Sequence, residues 1–573
     1  MIDQLLEGGL VIDGTGTAAV RADVGITDGA ISHVGTIDEP AASTIDASDL
    51  IVAPGFVDPH THYDAQLFWD PLANPSNLHG VTSIFNGNCG FTLAPVRADD
   101  ADYLRRMMAK VEGMPLPALE HGVSWDWESF GDYLDRLDGK LGVNAGFLVG
   151  HCALRRYVMG ADAIGKQATP DQVAEMVRVL HESIRAGGLG FSTTLSRTHS
   201  DGDGQPVASR WAGRDELVAL SAAIGEHDGT TLEGIVDGCL EYFADDEIDL
   251  LVAMSHAANR PINWNVLTVD SKRPDQPWHQ LDASSRAAAG GARIVALTMP
   301  VLVPMNMSFL NYCALNMLPD WGPILGLPVP ERMAKLRDAE TRRFLLDRAH
   351  SPDAGVFARL TDFGNYVIGD TYTDANAGLR NRVVADIARE RGADPFDTLV
   401  DIVLADELRT VLWPRPTDND DDSWKLRQEV WADGRAMLGG SDAGAHLDRM
   451  CGSSYTTRFL ADTLRGRKLV SIERAVQMIT SEPADLFGLK GRGRIAVGAH
   501  ADVIVFDPAT IGSENATLVH DLPGGSPRLI ADAHGVEHVF VNGIETVRAN
   551  TATGATPGTL LRAGRDTTSV TTR

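Results

Sequence analysis

Residues 54–62 read Pro54-Gly55-Phe56-Val57-Asp58-Pro59-His60-Thr61-His62, and a hydrophobic run that starts at Ile51 leads into them. Side chains two residues apart on a strand point to the same side, so the imidazoles of His60 and His62 can meet just past the strand's end. Parallel α/β barrels build their active sites there, and paired imidazoles suit zinc and similar divalent metals. The stretch predicts a metal site at a barrel mouth; the alternative is a turn rich in proline and histidine that binds no metal.

The middle of the chain alternates candidate strands with helical patterns, which favours a (β/α)8 TIM barrel. The candidate strands are Ile51–Asp58, Thr82–Asn86, Gly146–Gly150, Gly188–Ser192, Thr230–Glu233, Ile262–Leu267, Arg293–Thr298 and Ala436–Asp442. The clearest helix begins after Thr169, a predicted N-cap that is followed by Pro170 and forms a capping box with Gln172. Gly187-Gly188 is predicted to end that helix.

Both ends of the chain show short β-strand patterns separated by turn signals. They predict one small β-sandwich domain built from residues 1–53 and 483–573, beside a barrel of residues 54–482. Two inserts, at about residues 101–140 and 303–432, interrupt the barrel pattern. Inserts of this kind often cover an active site, so we expect them over the barrel mouth.

Composition restricts the partners. The net charge of −28 argues against nucleic acid or an anionic membrane as the main partner, because both attract basic faces. The five cysteines lack CxxC spacing, which is typical of a reducing cytosol without disulfides. The sequence shows no signal peptide and no membrane-spanning run. We expect a cytoplasmic protein with a small-molecule substrate, and a homo-oligomer is compatible with the sequence.

A hydrolytic zinc site needs a third ligand and an open position for water. Asp442 lies in Gly439-Gly440-Ser441-Asp442-Ala443-Gly444-Ala445-His446, where the last candidate strand ends. A carboxylate there can touch the metal and take a proton from water; the alternative is an aspartate that caps the next helix. Cys89, in Gly87-Asn88-Cys89-Gly90 after the second strand, is either a thiolate ligand or a small packed side chain.

Several motifs resemble the amidohydrolase superfamily. They are the string around His60 and His62, the Gly-Ser-Asp-Ala-Gly-Ala-His segment, and Thr480-Ser481-Glu482-Pro483-Ala484 with Gly498-Ala499-His500-Ala501-Asp502. More narrowly, His79-Gly80-Val81-Thr82 with Gly87-Asn88-Cys89-Gly90, and Gly188-Leu189-Gly190-Phe191-Ser192, resemble the N-acyl-D-amino-acid deacylases. This resemblance implies metal-dependent hydrolysis of a linear amide, with His60, His62 and Cys89 as ligands and Asp442 as the acid/base beside the metal.

The chain departs from the D-aminoacylase pattern at two strands. That family places a histidine at the end of strand five and another at strand six, where this chain has Glu233 and Asn265. A carboxylate can bind zinc, so Glu233 is a candidate ligand, whereas Asn265 is a candidate hydrogen-bond partner of the substrate. We expect one zinc ion rather than two. Its predicted ligands are His60, His62 and Asp442, with Cys89 or Glu233 nearby.

An acyl-amino-acid substrate would also need a cation for its carboxylate. Arg155, Arg156 and Arg197 follow strands three and four at the predicted metal face, and guanidinium groups bind carboxylates in a two-pronged geometry; surface solvation is the alternative for each. His151 is a candidate oxyanion donor or a core histidine. His446 could orient Asp442 or face the substrate.

The sequence therefore predicts a metal-dependent hydrolase that deacylates N-acyl-(D-)amino acids. A second hypothesis is hydrolysis of another carbon–nitrogen bond, in a cyclic amide, an aryl amide or a ureido group. A third is a non-catalytic binding protein with a decayed site. The joint presence of His60, His62, Cys89 and Asp442 argues against decay.

Overall fold

Two units make up the computed structural model of the chain, which describes residues 1–311 and 313–572. One unit comprises residues 1–303 and 421–573, and the other comprises residues 304–420. The second unit falls inside the insert predicted at 303–432. It has its own hydrophobic core, in which the ring of Phe363 lies 5.6 Å from that of Trp321 and 4.7 Å from that of Phe396.

The second unit is mainly helical. Its α-helices are Gly322–Leu325, Val329–Arg337, Ala339–Ala349, Val384–Arg391 and Pro395–Ala405. Two short strands, Tyr366–Ile368 and Leu412–Pro414, pair antiparallel. Asp394 caps the last of these helices, because its side chain accepts hydrogen bonds from the first backbone N–H groups.

In the part of the chain that the structure describes, parallel strands form the centre of the first unit as one sheet of three and one of six, and within each sheet they hydrogen-bond to their neighbours in chain order. They are Phe56–Asp58, Val81–Asn86, Asn144–Phe147, Val149–Gly150, Gly190–Thr194, Thr231–Ile235, Ile262–Asn265, Ile294–Thr298 and Ala436–Leu438. Asn144–Phe147 and Val149–Gly150 correspond to one predicted strand, interrupted at Leu148. The carboxyl ends of these strands share one edge, so side chains that follow them can converge.

The residues just past the first and last parallel strands also pair. Thr61 and Ala443 form a parallel bridge. The backbone N–H of His62 donates to the carbonyl of Ala443 at 2.7 Å, and that of Asp442 donates to the carbonyl of His60 at 3.1 Å. These bonds fix the two histidines against the aspartate, although 380 residues of sequence separate His62 from Asp442.

Strands from both ends of the chain share one sheet. In order across the sheet they are Thr551–Ala552, Ile544–Arg548, Val536–Val541, Val503–Phe506, Ile51–Pro54, Ile2–Val11, Val20–Thr27 and Ala30–Gly35. Ala41–Asp46 pairs in parallel with Ile2–Val11. Two small hairpin-like pairs complete the β-structure: Gly512–Ser513 with Ala533–His534, and Thr517–Leu522 with Ser526–Ile530.

The structure divides the predicted strand Ile51–Asp58. Ile51–Pro54 pairs antiparallel with Val503–Phe506 in the terminal sheet, whereas Phe56–Asp58 pairs in parallel with Val81–Asn86. Gly55 lies at the division, and a Cβ there would stand 2.2 Å from the Thr82 side chain. Only glycine fits this close approach. Both halves are apolar, so the hydrophobic pattern alone did not separate them.

The helices of the first unit include the one predicted after Thr169, which runs over Pro170–Arg185 and has the capping box with Gln172. The others near the parallel strands are His151–Met159, Arg214–Gly225, Asp245–Ala258, Gln276–Ala289, Asp421–Trp431, Tyr455–Leu464, Ile472–Met478 and Ser481–Leu486. The insert at 101–140 forms Ala101–Val111, Leu116–Gly122 and Phe130–Leu137. Within the described residues, every helix is too short or too polar to cross a membrane.

Candidate metal centre

His60 and His62 lie directly behind the strand Phe56–Asp58, and both are fully buried. Their ring centroids are 5.3 Å apart. Burial, with His62 nearby, lowers the pKa of His60 to about 3, so its imidazole is neutral and keeps a lone pair for a metal. The Asp58 carboxylate accepts from the backbone N–H groups of His60 and Ser441, which ties the first and last loops together.

Asp442 lies between the two histidines. Its Oδ1 is 3.5 Å from His60 Nε2 and 3.2 Å from His62 Nε2. Burial alone would raise the pKa of Asp442, but contact with His62 outweighs burial and holds that pKa well below its usual range. The carboxylate is therefore ionised and close to two imidazole nitrogens, which is the placement expected of a shared ligand or of an acid/base.

Cys89 completes a compact group of potential ligands. Its Sγ is 3.5 Å from His60 Nε2, and ligand atoms of His60, His62 and Cys89 all lie within 4.8 Å of one another. Burial and the neighbouring Glu233 raise the pKa of the thiol well above its usual value. A coordinating thiol loses its proton to the metal, so coordination would offset that shift.

Two buried glutamates flank this group. Glu233 Oε2 accepts a hydrogen bond from the backbone N–H of Cys89 at 2.8 Å, while its Oε1 has no hydrogen-bond partner in residues 1–311 and 313–572. Glu112 belongs to the insert at 101–140 and was not among the predicted residues; its Oε2 is 3.6 Å from His62 Nε2. Burial raises the pKa of Glu233 to about 8 and that of Glu112 to about 7.

The charges around His62 attract a cation. Burial alone would lower the pKa of His62, but the carboxylates of Glu112 and Asp442 outweigh burial and raise it to about 10. Among the residues that the structure describes, however, His62 Nε2 has no hydrogen-bond partner. Buried carboxylates that lack donors are stabilised by ion pairing or by a metal, and the imidazole, thiolate and carboxylate groups present are zinc ligands. The residues therefore fit a divalent metal ion.

Three residues of the candidate metal centre and the loop after it have unusual backbone conformations. Cys89 (φ 55°), Asp442 (φ 59°) and His446 (φ 50°) are all left-handed although none is a glycine. Such conformations cost free energy and are concentrated at functional sites. With these backbone turns, the side chains of Cys89 and Asp442, which follow the second and last strands, both lie beside His60.

Two further histidines lie at this centre. His446 Nε2 is 3.9 Å from Asp442 Oδ2. His199, which sequence reasoning missed, follows the strand Gly190–Thr194, and its Nδ1 is 2.8 Å from Thr194 Oγ1. Thr194 Oγ1 also accepts from the Ser196 N–H, so its own proton is free for Nδ1, and this favours the His199 tautomer with the proton on Nε2. Burial lowers the pKa of His199 to about 3, and the charges of His446 and Asp442 also affect that pKa.

The predicted carboxylate-binding arginines are engaged with carboxylates of the chain itself. Arg155 is buried and bonded to Glu216. Arg156 Nε is 2.6 Å from Asp100, and Arg197, which is exposed, is 3.8 Å from Asp237. The structure therefore does not bring these guanidinium groups to the metal ligands as free cations, and internal ion pairing is the physical reason.

His151 is likewise occupied. Its Nδ1 is 2.8 Å from Thr193 Oγ1 and its Nε2 is 2.8 Å from Glu216 Oε1. Both ring nitrogens are therefore engaged, and neither is free to donate to the predicted oxyanion. Asn265 does lie beside the last loop, because a Cβ on Gly440 would stand 2.6 Å from its Oδ1. That oxygen has no hydrogen-bond partner within the described part of the chain. A substrate contact by Asn265 stays a prediction.

Comparisons with known proteins agree with this chemistry. The amidohydrolase family profile matches residues 43–547. D-aminoacylase of Alcaligenes xylosoxydans xylosoxydans is 28% identical over 573 residues, covering 98% of this chain and 97% of that protein. N-acyl-D-glutamate deacylase of the same organism is 29% identical over 579 residues, covering 98% and 96%. A solved D-aminoacylase, studied for the role of its binuclear metal centre, has a TM-score of 0.64 at 25% identity and covers 98% of this chain and 100% of its own.

The chain has potential metal ligands at the carboxyl edge of its parallel strands, and it is similar to D-aminoacylase and N-acyl-D-glutamate deacylase. Together these features identify a metal-dependent hydrolase of carbon–nitrogen bonds other than peptide bonds. The profile spans most of the sequence, so the chain belongs to the amidohydrolase family. The superfamily resemblance drawn from the motifs is thereby confirmed, and so is the narrower likeness to the N-acyl-D-amino-acid deacylases.

Proposed function

We propose that this chain hydrolyses the linear amide bond of N-acyl-D-amino acids and releases a carboxylic acid and a free D-amino acid. The observation that carries the proposal is the position of Asp442 Oδ1 within 3.5 Å of both histidine Nε2 atoms, beside Cys89. D-aminoacylase, N-acyl-D-glutamate deacylase and N-acyl-D-aspartate deacylase, each matched over 98% of this chain, support the substrate class.

The donor set supports zinc as the cofactor, with His60, His62 and Asp442 as the predicted ligands of one ion and Cys89 or Glu233 nearby. When bound, zinc would lower the pKa of a coordinated water towards neutrality. Asp442 presents Oδ2 as the proton acceptor, because its Oδ1 faces the two imidazoles; His446 Nε2 is 3.9 Å from Oδ2. It takes the proton of the attacking water and returns it to the amide nitrogen as the carbon–nitrogen bond breaks, so one carboxylate serves as base and then as acid.

His199 is placed to polarise the substrate carbonyl. Its Nε2 makes no hydrogen bond to any residue in the described ranges, and Thr194 favours a proton on that nitrogen. We expect His199→Asn to lower kcat by about 10²–10³-fold, the usual loss for one oxyanion donor, without lowering the zinc content. Steady-state kinetics and elemental analysis check both values.

The matched control for His199 is His256→Asn, an exposed histidine in the last turn of the helix Asp245–Ala258. The control should keep the parent kcat. A His199→Asn enzyme with the same kcat as the control would remove His199 from the carbonyl contact.

A substrate panel tests the function itself. Zinc-loaded protein is incubated with N-acyl-D- and N-acyl-L-amino acids of several acyl lengths, with hydantoins and with ureido acids, and the released amine is measured. We expect release from the N-acyl-D-amino acids. Cleavage confined to cyclic amides or ureido compounds would replace the proposal with the second hypothesis. That hypothesis is motivated by Glu233 and Asn265, which stand where the D-aminoacylase pattern has two histidines.

We further propose that the parallel strands close into an eight-stranded (β/α)8 barrel over residues 54–482, with a β-sandwich domain from residues 1–53 and 483–573. The chain-order pairing and the Thr61–Ala443 bridge support closure, and the sheet shared by both ends supports the terminal domain. Five cysteines without CxxC spacing support a reducing, cytoplasmic setting, and the net charge of −28 supports a small-molecule substrate over nucleic acid or membrane. A homo-oligomer fits these features.

A further inference from the structure

The insert at 101–140 brings a buried carboxylate to the metal ligands. Glu112 directly follows the helix Ala101–Val111 and is only 3% exposed. Its Oε2 is 3.6 Å from His62 Nε2. Nothing in the local sequence marks Glu112 as functional, because it belongs to neither a strand end nor a metal-ligand motif.

The Glu112 carboxylate has no hydrogen-bond donor of its own. Within residues 1–311 and 313–572, its side chain accepts no hydrogen bond, and its sole ion-pair partner is His62. The nearby carboxylates of Asp442 and Asp64 add to the negative potential around Glu112. A buried carboxylate is costly unless a cation accompanies it. Protonated His62 can supply that cation, and a metal ion between Glu112 Oε2 and His62 Nε2 would do so in place of the proton.

The spacing of the atoms fits a shared ion. Two ligand atoms that are each about 2.1 Å from a tetrahedral zinc lie about 3.4 Å apart. Glu112 Oε2 is 3.6 Å from His62 Nε2, and Asp442 Oδ1 is 3.2 Å from the same nitrogen. Within the described residues His62 Nε2 has no hydrogen-bond partner, so the ion would take the place of a proton on that nitrogen.

The backbone around Glu112 is anchored to the loop after the last strand. The carbonyl of Glu112 accepts a hydrogen bond from the backbone N–H of His446. Gly113 (φ 58°) packs so closely that a Cβ there would stand 3.1 Å from His446 Cα. The loop that carries Asp442 therefore holds Glu112 in place, and the carboxylate is positioned rather than free to turn to solvent.

We propose that Glu112 is a ligand of the metal on the His62 side, so that the insert supplies part of the metal site. This inference rests on the proposed metal dependence and deepens it. It gives the chain a carboxylate ligand from outside the strand ends, in a site where Glu233 and Asn265 stand in place of two histidines.

The test compares Glu112→Gln with Glu120→Gln. Glu120 is exposed in the same insert, on the helix Leu116–Gly122, so its loss should not affect the metal. We expect Glu112→Gln to weaken zinc binding at least tenfold in competition with a chromophoric chelator, and to lower the zinc retained after dialysis. Affinity and zinc content equal to those of the Glu120→Gln protein would overturn the proposal.

A second measurement needs no variant and covers the case in which Glu112→Gln fails to fold. Crystals of the zinc-loaded parent chain are measured at the zinc absorption edge, and the anomalous peaks locate the metal. A Glu112 oxygen at about 2.2 Å from a peak, the usual zinc–carboxylate distance, supports the proposal. Separation by more than about 3 Å from every peak contradicts it. Neither readout uses turnover, so an inactive protein that binds zinc through Glu112 would refute only the deacylase function.

Discussion

Replacement of Asp442 by asparagine should lower kcat by about 10²–10⁴-fold while most of the zinc stays bound. Asparagine keeps an oxygen beside His60 Nε2 and His62 Nε2, where Asp442 Oδ1 now lies, but an amide cannot accept the proton of the attacking water at neutral pH. The best substrate of the panel gives kcat, and elemental analysis of the same preparation gives zinc per chain.

The control for this prediction is Asp485→Asn, which removes one carboxylate from an exposed ion pair with Arg494. It should retain the parent kcat. A parent-like kcat in Asp442→Asn would show that the proton travels through another group, and Glu233 or Glu112 would be the next carboxylates to replace. Loss of zinc together with kcat would show that Asp442 acts mainly as a ligand.

The core of the candidate metal site could be predicted because its residues are marked locally. His60 and His62 have the two-residue spacing of one strand face and directly follow an apolar run, and Asp442 ends another such run inside a glycine-rich turn. The carboxyl ends of parallel strands meet at one edge, so positions that end different strands are brought together whatever the sequence distance. The structure accordingly places Asp442 Oδ1 within 3.5 Å of the Nε2 atoms of both histidines.

Glu112 could not be predicted in this way. Its position depends on how three short helices of the insert fold back, and on one backbone hydrogen bond to His446, neither of which leaves a local pattern. His199 did leave a signal, since it follows the fourth strand in Ser196-Arg197-Thr198-His199. The hypothesis that an arginine binds the substrate carboxylate singled out Arg197 in this segment instead, and the structure leaves Arg197 exposed.

The arginine hypotheses show the limit of residue type as a guide. Arg155 follows the third strand as a clamp would, but Glu216, on the helix Arg214–Gly225, takes up its guanidinium group. The two residues are 61 positions apart, and only the packing of their helices brings them together. His151 also contacts Glu216, and it contacts Thr193. Arg155 and His151 do lie near the strand ends, but the sequence did not reveal the residues with which they pair.

Replacement of Arg155 by leucine should therefore act on stability more than on substrate binding. Glu216 is only 3% exposed, and loss of its main partner would leave a charge buried with His151 alone. Breaking a buried ion pair from one side typically costs about 3–5 kcal/mol, so we expect the free energy of unfolding to fall by about that amount. Urea-induced unfolding of the zinc-loaded protein, followed by circular dichroism, measures the change.

Two further variants separate the stability effect from a role in binding. Arg197→Leu removes a half-exposed arginine that is 3.8 Å from Asp237 and should change stability by less than about 1 kcal/mol, as surface pairs do. The double variant Arg155→Leu/Glu216→Leu removes both buried charges and should recover much of the lost stability, because an apolar pair can replace a buried ion pair. If Arg155→Leu instead unfolds like the parent and only raises KM for acyl-amino acids, Arg155 binds the substrate carboxylate, and its contact with Glu216 is exchanged for the substrate during the reaction.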